Sequence, residues 1–158
     1  MEHIWAPWRM EYIEKKKESD CIFCCTTEEE EDKENYILYR GDSVFVIMNA
    51  YPYNNGHLMV IPYEHVSSFE FLDDKVLLDL MKTTNISTTA LRSLFSPDGF
   101  NIGANLGKVA GAGIESHVHI HVVPRWNGDT NFMPVIGDTK VISEHLESTY
   151  LKLLPYFK

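Results

Sequence analysis

The chain has 158 residues, 44% of them hydrophobic, and a formal net charge of −9 at pH 7. That size suits one domain with a sizeable core, and the acidic balance argues against sequence-independent nucleic-acid binding through a basic surface. No apolar run reaches bilayer-spanning length, and the first twenty residues are aromatic and charged where a signal peptide needs an apolar stretch. We therefore read residues 1–158 as a single cytosolic domain with an N-terminal arm of about 35 residues and no membrane or nucleic-acid partner.

In chain order, the arm first presents Cys21, Cys24 and Cys25, too close together to staple distant parts of a fold. Cys21-Ile22-Phe23-Cys24 has the spacing that lets two thiolates share one tetrahedral zinc, which is half a site; reduced thiols without metal are the alternative. The run Glu28 to Glu34 (EEEEDKE) reads as a solvated loop. Tyr36 to Arg40 and Ser43 to Asn49 are β-branched and apolar runs, and Gly41-Asp42 between them signals a hairpin. AYPYNNG supplies turn residues, and His57 to Pro62 reads as a third strand stopped by its proline.

From Asp73, a candidate N-cap, the residues Leu77, Leu80, Met81, Thr84, Thr88, Leu91 and Phe95 follow helical spacing with one buried face. Phe100 to Leu106 resumes as a strand, Gly107 to Ser116 is a glycine-rich loop, and His117 to Val123 is a strand before Pro124. A last helix begins near Thr139, with Val141, Ile142, His145, Leu146, Thr149, Tyr150 and Leu153 along one side. Strands around one long and one terminal helix make an α+β domain.

The most informative segment is His117-Val118-His119-Ile120-His121-Val122-Val123-Pro124-Arg125-Trp126. Alternate residues of a strand share a face, so three imidazoles line one side while Val118, Ile120 and Val122 turn to the core. Such a row suits either a three-histidine metal site or covalent catalysis by one imidazole, and spacing alone does not choose. The preceding glycines allow backbone N–H groups to approach an anion closely.

From the CxxC arm through MNAYPYNNGHLMVIP to GxGxxxHxHxHxxPRW, the chain resembles the histidine triad (HIT) family over most of residues 5–137. The resemblance implies a HIT-like α+β fold, an antiparallel sheet with one long helix and a C-terminal helix. It implies that the middle histidine, His119, attacks an α-phosphate in line and forms a nucleotidyl-histidine intermediate, with its other ring nitrogen held by a backbone carbonyl near His117. His121 would donate to a phosphate oxygen or to the leaving group. Asn49 matches the position that hydrogen-bonds the ribose, although an asparagine also suits the following turn.

Joined to the histidines, Asn105, Gly113 and Ser116 become candidate phosphate contacts, and Lys108 adds local positive charge. Arg125, beside Trp126, suits a structural role at least as well. In many family members, and in the related galactose-1-phosphate uridylyltransferases, a histidine after the GHLMVIP-like strand and the first triad histidine complete a zinc site. Those positions are His65 and His117, which with Cys21 and Cys24 would give a structural Cys2His2 centre; Cys25 would be a bystander. The resemblance also implies a homodimer formed partly by the long helix; whether magnesium accompanies the substrate stays open.

Within the family, the arm IWAPWRMEYI and the extension VPRWNGDTNFMPVIGDTK resemble the branch of bacterial-type diadenosine tetraphosphate phosphorylases, which use inorganic phosphate to give ATP and ADP. Eukaryotic phosphorylases carry glutamine where His121 stands, so the acceptor stays open. Water as acceptor would make a hydrolase of dinucleoside polyphosphates or nucleoside phosphoramidates. A zinc-stabilised nucleotide-binding module without chemistry is the alternative of another class.

Overall fold

The computed structural model describes residues 21–137, 139 and 141–158; the IWAPWRMEYI segment lies outside them. Among these residues the chain forms helix α1 (Ile22–Glu28), strands β1 (Ile37–Arg40), β2 (Val44–Met48) and β3 (Leu58–Pro62), and the long helix α2 (Asp74–Phe95). Strands β4 (Gly99–Gly103) and β5 (Ile120–Arg125) follow, then helices α3 (Met133–Gly137) and α4 (Leu146–Leu153). The strands make one antiparallel sheet in the order β1-β2-β3-β5-β4. The architecture is the α+β arrangement expected. No helix among the described residues is long and apolar enough to cross a membrane.

Period-2 alternation divides the sheet between two cores. Val44, Val46, Met48, Leu58, Val60, Val118, Ile120 and Val122 pack with Leu80 and Leu91 of α2 and with Tyr150 and Leu153 of α4. The intervening Phe45, Ile47, Met59 and Ile61 point the other way and pack with Ile37 and with Phe23 of α1. Helix α2 covers one face, and α1 covers part of the face on which the histidines lie.

Several boundaries differ from expectation, each for a physical reason. Ladder pairing in β5 starts at Ile120, because β3 ends at Pro62 and the Val118 N–H instead reaches the Val66 carbonyl at 2.7 Å. Strand β5 also runs through Pro124. Its β3 neighbour begins only at Leu58, opposite Val122, and the Pro124 carbonyl faces Asn54 Nδ2 at 3.1 Å, so the missing N–H breaks no ladder bond. Strand β4 stops at Gly103, opposite His121, not at Leu106.

The hairpin turn spans Gly41 to Ser43, closed by Gly41 N–H to the Val44 carbonyl at 2.8 Å. Asp73 stands at the N-cap of α2, but its side chain makes no capping bond. The buried stripe of α2 is Val76, Leu80, Thr83, Thr84, Ser87, Ala90 and Leu91, while Met81 faces outward. Buried Thr84 and Ser87 satisfy their hydroxyls on the Leu80 and Thr83 carbonyls one turn back.

The expected last helix begins only at Leu146, as α4, and not near Thr139, with Val141 exposed; the short α3 precedes the expected span. The acidic run is solvated but held in place. Arg40 bonds the Thr27 and Glu29 carbonyls and pairs with Asp32, because its guanidinium presents several donors in one plane.

Candidate active site

A cavity of about 570 Å³ opens on the face of the sheet away from α2. Its wall combines Ile22 and Phe23 from α1 and Ile47 and Met48 from β2 with His119, His121 and Gly113, and the Phe23 ring centroid lies 5.1 Å from that of His119. Asn49, Tyr51 and Tyr53 also line it. Among the described residues, no lysine or arginine lines the cavity.

His119 is 5% exposed, with Nδ1 at 2.9 Å from the His117 carbonyl. A carbonyl only accepts, so the proton sits on Nδ1 and the Nε2 lone pair is free. Burial lowers the His119 pKa from 6.5, opposed by that same bond, so the ring is neutral at pH 7.

His121 is oriented by a residue that the sequence reading did not single out. His57 is buried just before β3, and Met59, two residues on, pairs with His121, which places His57 on the histidine face. The Tyr53 N–H donates to His57 Nδ1 at 3.1 Å, so the His57 proton must be on Nε2. His57 Nε2 lies 2.9 Å from His121 Nδ1 and donates to it, leaving the His121 proton on Nε2 as a donor. Burial and the neighbouring imidazoles push His57 down to about 3 and His121 to about 4. Both therefore stay neutral in the tautomers that this chain of bonds dictates.

His117 turns away from the cavity. Its Nε2 donates to the Pro62 carbonyl at 2.8 Å, and its Nδ1 lies 3.3 Å from Cys21 Sγ and 3.6 Å from Cys24 Sγ. Cys24 Sγ is 3.3 Å from His65 Nδ1, and one donor atom from each of these residues lies within 4.8 Å of all the others. Tetrahedral zinc with bonds of about 2.3 Å to sulfur and about 2.0–2.1 Å to nitrogen separates adjacent S and N donors by roughly 3.5 Å. The four residues fit a metal ion of that kind. Burial, with Cys21 alongside, raises the Cys24 thiol to about 11. Cys25 is outside the group.

Of the residues expected at the site, the fold brings Asn49, Gly113, His119 and His121 to one cavity. Asn105, Lys108 and Ser116 are not in its wall: Asn105 Nδ2 spans the loop to the Gly111 carbonyl at 3.3 Å, and Lys108 and Ser116 are exposed. Arg125 pairs with Asp129, whose carboxylate also accepts from Asn54 Nδ2 at 2.8 Å and from the Trp126 N–H at 3.2 Å. That network ties the segment after β5 to the turn that carries Tyr53.

The sequence pattern of the HIT domain family matches residues 30–128. The chain belongs to the HIT domain family. It is 39% identical over 157 residues to an AP-4-A phosphorylase of Mycobacterium tuberculosis, covering 94% of this chain and 80% of that one. Among solved structures, it is similar to a Zn-bound histidine triad family protein from Mycobacterium smegmatis, with a TM-score of 0.70, 24% identity, and coverage of 87% and 93% of the two chains. A histidine triad nucleotide-binding protein from Sulfolobus tokodaii aligns with a TM-score of 0.66 and 27% identity, over 87% of this chain and 89% of the other. The HIT fold thus accounts for the sheet, and the triad lies where its last strand begins.

Proposed function

We propose that this HIT protein is a nucleotidyl transferase that cleaves diadenosine tetraphosphate with inorganic phosphate, giving ATP and ADP. The observation that carries the reading is the 2.9 Å contact between His119 Nδ1 and the His117 carbonyl, which leaves Nε2 unprotonated at the cavity. The identity to an AP-4-A phosphorylase supports the choice of substrate.

In the first step Nε2 of His119 attacks the α-phosphorus, the bond to the bridging oxygen breaks, and ATP leaves with that electron pair. The His117 carbonyl stabilises the positive charge left on the substituted ring through the retained Nδ1 proton. The His121 Nε2–H hydrogen-bonds the departing oxygen. In the second step a phosphate oxygen attacks the same phosphorus, the P–N bond breaks back to His119, and ADP is released. Asn49 holds the ribose, Gly113 offers its backbone to phosphate, and the apolar side chains of α1 and β2 receive the base. In this reading Asn105, Lys108 and Ser116 act on the polyphosphate from the loop outside the cavity wall.

The reading includes zinc bound by Cys21, Cys24, His65 and His117, in keeping with the donor set and the Zn-bound neighbour. Zinc would supply a structural cross-link between α1 and the triad segment and take no part in the bond changes. Magnesium would arrive with the polyphosphate and screen its charge. A cytosolic location suits reduced thiols and nucleotide substrates. A homodimer would cover Leu78, Met81 and Ile86, exposed on α2, and the uncharged edge strand β4; sedimentation at micromolar concentration reads this directly.

The deciding experiment incubates the protein with diadenosine tetraphosphate, with and without phosphate, and traps the adduct by acid-free denaturation. ADP and ATP formed only with phosphate, through an AMP adduct absent from His119→Asn, is the expected result. AMP and ATP formed equally without phosphate would make it a hydrolase. Binding with no adduct and no turnover overturns the enzymatic reading.

A further inference from the structure

The turn between β2 and β3 positions an aromatic ring that the mechanism above does not use. Tyr53 is 54% exposed, the most exposed aromatic ring of the cavity wall, where Phe23 is buried and Tyr51 is 37% exposed. It lies beside two of the histidines, with its ring centroid 4.5 Å from that of His57 and 5.5 Å from that of His121.

The ring is anchored despite its exposure. Its backbone N–H is fixed on His57, and the next residue, buried Asn54, is held by the Pro124 carbonyl and Asp129. Buried Asn55 accepts a hydrogen bond from Thr149 Oγ1 of α4 at 3.2 Å. Such a ring loses little freedom on binding a flat ligand.

Substrate geometry supplies the other half of the argument. In the proposed reaction His121 hydrogen-bonds the departing oxygen, so the leaving nucleotide departs on the His121 side, where Tyr53 lies. Among the described residues, no lysine or arginine lines the cavity wall there. Stacking of a base on an aromatic ring needs no charge and tolerates any nucleobase.

Resting on the proposed function, we infer that Tyr53, with Tyr51 beside it along the wall, is the stacking platform for the nucleobase of the leaving nucleotide. It selects dinucleoside over mononucleoside polyphosphates. The first nucleoside and the chemistry are untouched by this role.

Calorimetry with non-cleavable methylene-bridged analogues, diadenosine tetraphosphate against adenosine tetraphosphate, tests it through the ratio of the two Kd values. Any general disturbance of the histidines cancels in that ratio. The wild type should favour the dinucleoside analogue about tenfold. Tyr53→Leu should bring the ratio close to one, Tyr53→Phe should retain it, and Tyr53→His, with a smaller ring, should fall between. The phenylalanine and histidine variants give the answer if the leucine variant does not fold. Equal affinity for the two analogues in the wild type, or a ratio unchanged in the leucine and histidine variants, overturns the inference while leaving the phosphorylase reading intact. If neither analogue binds the wild type, the proposed function fails and this inference with it.

Discussion

His57 Nε2 and His121 Nδ1 lie 2.9 Å apart, joining the turn before β3 to the triad strand through a bond whose direction is set by the Tyr53 N–H on the far side of the His57 ring. The donor that His121 presents to the cavity is thus decided by a backbone amide two rings away.

Breaking that contact should separate nucleophile from donor. His57→Leu removes the bond to His121 Nδ1 and leaves its tautomer unspecified, so kcat should fall about 10–100-fold while the AMP adduct at His119 still forms. His57→Gln, whose amide can still donate, should recover part of the loss. Single-turnover measurements decide: an unchanged adduct-formation rate in His57→Leu would mean that the tautomer of His121 is fixed by something else.

Acid should destabilise the fold over a defined window. The pKa of His57 is lowered from 6.5 to about 3 and that of His121 to about 4, chiefly by burial. Below pH 6.5 the unfolded chain binds protons that the folded one refuses, so stability falls as pH drops from 6.5 toward 4. Urea titrations at intervals across this range should show a steady loss that is shallower in His57→Leu, where one of the two buried rings is absent. A flat profile in the wild type would contradict the buried neutral pair.

Removing the proposed zinc should damage nucleoside binding as well as stability. Cys21 and Cys24 bracket Ile22 and Phe23 of the cavity wall, and His117 offers its ring to the cluster and its carbonyl to His119. We expect about one zinc per chain. Chelation should lower Tm and weaken AMP binding on the order of tenfold, both restored by added zinc. Chelated protein that binds AMP as tightly as before would show that α1 needs no cross-link.

Gly56 controls the approach to His57. Its φ is +75°, and a Cβ there would stand 3.0 Å from Leu91 Cδ2 on α2. Gly56→Ala should therefore cost about 1–2 kcal/mol from the left-handed backbone alone, with more from displacing Leu91. Denaturant unfolding measures the loss. Stability within a few tenths of a kcal/mol of wild type would place the turn in another conformation.

The alternation of His117, His119 and His121 with valine and isoleucine determined, from sequence, which side chains enter the core and which face the site, because the two-residue period of extended backbone holds even at His117 and His119, outside the ladder. The same locality made the long helix and its span readable, though its buried stripe lies one position off at Met81, since periodicity gives a face but not its rotation against the sheet. The reading of Asn105 and Ser116 as phosphate contacts, and of Lys108 as local positive charge, followed nearness in sequence to the histidines; the fold leaves all three outside the cavity wall, since a glycine loop can carry neighbours away from a wall as readily as toward it.

What the sequence by itself determined is the set of groups able to do the chemistry: a row of imidazoles, a pair of thiols at ligand spacing and a glycine loop, each a local pattern written within a few residues. Only the tertiary structure decided how they divide the work. Strand pairing brings His57 from 64 residues away onto His121, the packing of α1 on the sheet brings Cys21 from 96 residues away onto His117, and the protons and lone pairs follow from those contacts. A ring nitrogen's role depends on what the other nitrogen touches, and that partner is fixed by the register of strands that no local pattern records.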